Sequence, residues 1–96
     1  MEDPIEIQTY EQMSEEERDA IDTCKHIWEQ CGLDIDSFSC FIYTDCVQIS
    51  YIYDEGRARQ VGLCYYSAGN EIRALYLAFI ELISNLGKHG WITTTV

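Results

Sequence analysis

Between Ser14 and Gly32 the apolar positions recur at intervals of three and four. Ala20, Ile21, Cys24, Ile27, Trp28 and Cys31 fall on one stripe, which predicts an amphipathic helix. Ser14 with Glu17 three residues on is a capping-box pattern, and Gly32 supplies a stop. From Ser37 the period changes to two. Phe38, Cys40 and Ile42 alternate with Ser39, Phe41 and Tyr43; Val47, Ile49 and Tyr51 alternate with Gln48, Ser50 and Ile52. Val61, Leu63 and Tyr65 alternate with Gln60, Gly62, Cys64 and Tyr66, giving predicted strands over 37–43, 46–53 and 59–66. The connections Thr44-Asp45 and Asp54-Glu55-Gly56 are short, so the three runs read as an antiparallel meander.

A second helical period begins after Ser67-Ala68-Gly69-Asn70, with Ser67 or Asn70 as its cap. Ile72, Leu75, Tyr76, Phe79, Ile80, Ile83 and Leu86 recur at helical spacing up to Gly87, and Lys88 suits the negative end of the helix dipole. This helix is the more apolar of the two and is expected to pack centrally on the sheet. The fold class read from this order is α+β, α-β-β-β-α, with both helices on one side of the sheet. Phe38, Cys40, Ile42, Val47, Ile49, Tyr51, Val61, Leu63 and Tyr65 are assigned to the helix-covered face. Residues 1–13, with Pro4, Ile5 and Ile7, read as a loose arm or an edge strand; residues 91–96, WITTTV, read as a fourth strand or a frayed end.

At 96 residues the chain is long enough for one domain. Its 17 acids against 6 bases leave a net charge of −11. Residues 1–36 hold 12 acids and two bases, so nearly all of that charge belongs to the first third of the chain. Such a balance disfavours direct binding to nucleic acid or to an anionic membrane and favours a basic partner. The opening MEDPIEIQ lacks the apolar core of a secretory leader, and no apolar run reaches the length of a membrane span. Five cysteines, odd in number and without a CxxC pair, fit a reducing compartment where they act as small buried hydrophobes. A cytoplasmic location is expected.

Two surfaces stand out as candidates for recognition. On the first helix Glu15, Asp19, Asp22 and Glu29 lie at i, i+4, i+7 and i+14, opposite the apolar stripe, and Asp34 and Asp36 add charge just beyond it. Carboxylates spaced one or two turns apart along a rod lie about 5–10 Å from one another, comparable to phosphates along a nucleic-acid strand. The plainer reading of this row is a solvated outer helix face. The second candidate is Phe41, Tyr43 and Tyr66 among polar residues of the less apolar sheet face, a set suited to anchoring an interface. The plainer reading there is that the tail or the N-terminal arm covers them.

Catalytic, metal-ligating and cofactor-binding residues are not expected. His26 sits on an exposed helix face and His89 in a terminal turn, neither beside a nucleophile, and Cys24 and Cys31 at i, i+7 are explained by core packing. The helix carboxylates share one solvated environment, whereas acid–base work needs two different ones.

The element order resembles the double-stranded RNA-binding domain, whose second helix opens with a lysine-rich cluster; here that position reads Asn70-Glu71-Ile72-Arg73, the wrong charge for RNA. In order, size and acidity together the chain resembles phage-encoded inhibitors, in particular anti-CRISPR proteins that mimic DNA, and in logic the acidic immunity proteins and barstar-like nuclease inhibitors. That likeness is of architecture, so no functional residue is carried over. It implies a non-enzymatic inhibitor whose acidic helix occupies the basic groove of a nucleic-acid-handling protein. The alternatives are an assembly protein, homodimeric through the aromatic sheet face, and an immunity protein for a nuclease toxin.

Overall fold

The computed structural model describes residues 13–67, 69–88 and 90. Helix α1 (Glu15–Gln30) leads through a 3-10 turn at Ile35–Ser37 into strands β1 (Phe38–Ile42), β2 (Cys46–Tyr53) and β3 (Ala58–Tyr65), and helix α2 (Glu71–Lys88) follows. The strands form an antiparallel sheet in the order β1-β2-β3 with both helices on one face, the α+β order read from the sequence. The expected N-terminal arm or strand, short of Met13, the tail strand and His89 lie outside the described residues.

Each end of α1 is fixed by its own sequence. Ser14 Oγ accepts from the Glu17 N–H and Glu17 Oε1 accepts from the Ser14 N–H, both at 3.2 Å, completing the capping box. At the other end Gly32, at φ +83°, donates to Glu29 O and Leu33 N donates to Trp28 O, a Schellman closure. Trp28 then fastens the helix to the sheet. Its fully buried indole meets Phe38 and Tyr51 edge-on, with centroids 5.3 and 5.6 Å away, and its Nε1–H donates to Asp34 O at 2.9 Å.

The strand register overturns one face assignment. Pairing of Ile49 with Gly62 and of Val47 with Cys64 puts Gln60, Gly62 and Cys64 on the helix-covered face, and Val61, Leu63 and Tyr65 on the other. The reason is steric. Helix α2 lies so close over β3 that any Cβ at residue 62 would collide with the Ala78 carbonyl oxygen and stand 2.9 Å from Leu82 Cβ. Only glycine meets α2 there, and the alternation of the strand then sends Leu63 and Tyr65 outward.

Close seating also rotates α2 from the expected phase. Ala74, Leu75, Ala78, Phe79, Leu82 and Leu86 are its buried residues, whereas Tyr76 and Ile80 are exposed. Ala78 lies over the glycine, with Leu82 beside it. On α1, Ala20, Ile21, Cys24 and Trp28 are buried as expected, Cys31 is half-buried, and Ile27 is exposed.

Candidate functional site

Opposite the buried face of α1 runs the acidic one. Glu15, Asp19, Asp22 and Glu29 are all exposed, and none of their side chains forms a hydrogen bond or ion pair to another described residue. The helix rise places the first and last of them about 21 Å apart along the axis. His26 is exposed on the same side, four residues beyond Asp22 and three before Glu29. Arg18 turns away from the row: its Nε and Nη2 donate to Met13 O at 3.2 and 3.0 Å. Lys25 is half-buried, and its charge acts on the Cys40 thiol beneath α1.

Asp34 and Asp36 stand beyond the helix, exposed in the 3-10 turn. Asp34 Oδ1 accepts from the Asp36 N–H at 3.0 Å, so it caps that turn, while its carbonyl receives the Trp28 indole. The four helix acids therefore share one face, whereas the two turn acids stand by the turn that receives Trp28 from the buried face.

The aromatic set divides. Phe41 and Tyr43 lie together on the sheet face away from the helices, half-buried, with ring centroids 6.3 Å apart. Tyr66 does not join them. It packs against the core on the helix side, and its hydroxyl donates to the Tyr43 carbonyl. Burial first, then the carboxylates of Glu71 and Glu17, pushes its phenol above the ordinary tyrosine value. One of these carboxylates comes from the first turn of each helix.

In place of Tyr66 the outer face gains Val61, Leu63 and Tyr65, the last 70% exposed. Across the sheet the rows read Tyr43–Cys46–Tyr65, Phe41–Gln48–Leu63 and Ser39–Ser50–Val61, with Cys46 and Ser50 of the central strand buried. The isolated Gly62 was the signal for this phase, since glycine inside a strand marks close backbone approach.

The five cysteines are free thiols. Cys24 lies in the core and Cys40 packs against it. Both are pushed up to about 12, Cys24 by burial and then by Cys40, and Cys40 by burial against a small opposing pull from Lys25. A buried thiol held neutral in this way is a poor nucleophile. Among the described residues no three His, Cys, Asp or Glu side chains converge as metal ligands, and no helix is long and apolar enough to cross a membrane.

No family model, no curated protein and no solved structure matches this chain.

Proposed function

We propose that the chain is a non-enzymatic inhibitor that presents the acidic face of α1 to the basic groove of a nucleic-acid-handling protein, in the manner of a DNA mimic. What carries the reading is that Glu15, Asp19, Asp22 and Glu29 are exposed on one helix face with no partner among the described residues. A helix capped at both ends and pinned by Trp28 holds such a row rigid, so little ordering entropy opposes docking. Attraction between this row and a cationic groove speeds encounter and weakens with salt. A phage-encoded inhibitor of a CRISPR nuclease, acting in the host cytoplasm, is the particular setting that matches the size and charge; an immunity protein for a nuclease toxin would use the same surface. The test is a competition assay on a captured partner: the chain should displace duplex DNA from it, and E15Q/D19N/D22N/E29Q should not.

A second reading rests on the outer sheet face, where Phe41 and Tyr43 pack together and Leu63 and Tyr65 are exposed. Arg59 is the one charged residue that the register puts there, so two copies of an acidic chain meet through this face with least repulsion. Light scattering over a dilution series separates the two: a monomer at all concentrations, unchanged by Tyr65→Ser, removes the assembly reading.

A further inference from the structure

We propose that the edge of β3, which pairs with no other strand among the described residues, is a docking groove for an extended peptide carrying a carboxylate. The inference starts from Glu81. Its Oε2 accepts the Leu63 N–H at 3.1 Å, so that N–H points away from β2, and the pair Gln48–Leu63 lies between the ladder's hydrogen-bonded pairs. Alternation gives Tyr65 the same direction: its N–H and C=O also face outward, while Tyr66 N returns to the hairpin by donating to Asp45 O. These two, the last of the outward positions along β3, differ in how they are covered. At Leu63 a carboxylate from α2 blocks the edge; at Tyr65 no described side chain meets the N–H, and only the Cys64 thiol, at 3.4 Å, approaches the carbonyl.

Beside Tyr65 the surface opens into a cleft of about 390 Å³, lined by the end of β3 and by Asn70, Arg73 and Leu77 of the α2 region. Arg73, Leu77 and Glu81 are spaced four residues apart, one stripe of α2 running along the strand edge. Glu81 closes one end of the stripe. At the other, Leu77 is 44% exposed and the exposed Arg73 forms no hydrogen bond or ion pair to a described residue. Glu71, the nearest acid in sequence, directs Oε1 to the Gly69 N–H at 3.1 Å. A strand edge unpaired among the described residues, an apolar wall and a cation in line offer three contacts to an added β-strand: main-chain pairing at Tyr65, a side chain on Leu77, a carboxylate on Arg73.

The experiment is a titration of the ¹⁵N-labelled full chain with acetylated, amidated pentapeptides Thr-X-Asp-X-Thr, X being Val, Ile, Leu or Tyr. Expected at about 1 mM, the range of weak recognition, are shifts centred on the amides of Tyr65, Arg73 and Leu77 and slowed hydrogen exchange at Tyr65. Replacing Asp by Lys in the peptide, methylating its backbone nitrogens or introducing Arg73→Glu should each weaken binding about tenfold or more. Arg73 is exposed, so an unchanged spectrum away from the cleft certifies that the variant is folded. The proposal is overturned if no peptide of the panel moves the Tyr65 amide, if the Lys peptide binds as well, or if benzoate reproduces the shifts without protecting Tyr65, which would make the cleft a small-anion site.

Discussion

Helix α2 rests on Gly62 with its Ala78 carbonyl in the space that any side chain at 62 would need. This contact sets how close the second layer lies to the sheet, and with it which residues of β3 face the core. Gly62→Ala should destabilise the fold by about 2–3 kcal/mol, because the clash is with backbone that no rotamer change relieves. The urea midpoint measures it. A loss below half a kilocalorie per mole would mean that α2 is free to lift.

Trp28 ties the acidic helix to the sheet by ring packing and by its indole N–H to Asp34 O. Trp28→Phe removes that donor and leaves a cavity, at a cost of about 2–3 kcal/mol. The same substitution should loosen the 3-10 turn, seen as faster amide exchange at Ser37, whose N–H is bonded to Asp34 O.

Cys24 and Cys40, each raised to about 12 from 9.0, make stability fall at alkaline pH. Below pH 9 both thiols are neutral in folded and unfolded chains alike, and their contribution is fully present. Between 9 and 12 the unfolded chain ionises first, binds fewer protons than the native one, and is favoured. The urea midpoint should therefore drop from about pH 8 to about pH 10.5, by less in Cys24→Ala/Cys40→Ala. Equal drops in both proteins would assign the alkaline loss to other groups.

Glu81 shields the β3 edge by accepting the Leu63 N–H. Glu81→Ala uncovers that edge at a cost of about 1 kcal/mol and should raise the tendency to self-associate. Sedimentation velocity over a concentration series detects the association; a monomer indistinguishable from wild type would show that the edge needs no guard.

Much of the fold is legible in the sequence. The helix from Glu15, its caps, the three strands and α2 follow from local pattern, because capping boxes, period-two alternation and turn residues act over a few positions. The acidic row was legible for the same reason, since one helix fixes the relative directions of its own side chains. Face assignments that depend on two elements meeting were not. Val61, Leu63 and Tyr65 are more apolar than Gln60, Gly62 and Cys64, so alternation alone sends the wrong set inward; the fit of Ala78 on Gly62 decides it. Tyr66 went astray likewise, one residue beyond the strand whose phase was reversed.

The central claim is that the α1 acids are a binding surface and not merely a solvated one. The most direct measurement is a quantitative affinity capture from cell lysate, run in parallel with the wild-type chain and with E15Q/D19N/D22N/E29Q. Wild type should retain a basic nucleic-acid-binding protein that is released by competing duplex DNA or by about 0.5 M salt, and the variant, equally stable to urea, should not retain it. Retention of the same protein by both chains, indifferent to DNA and to salt, would contradict the claim.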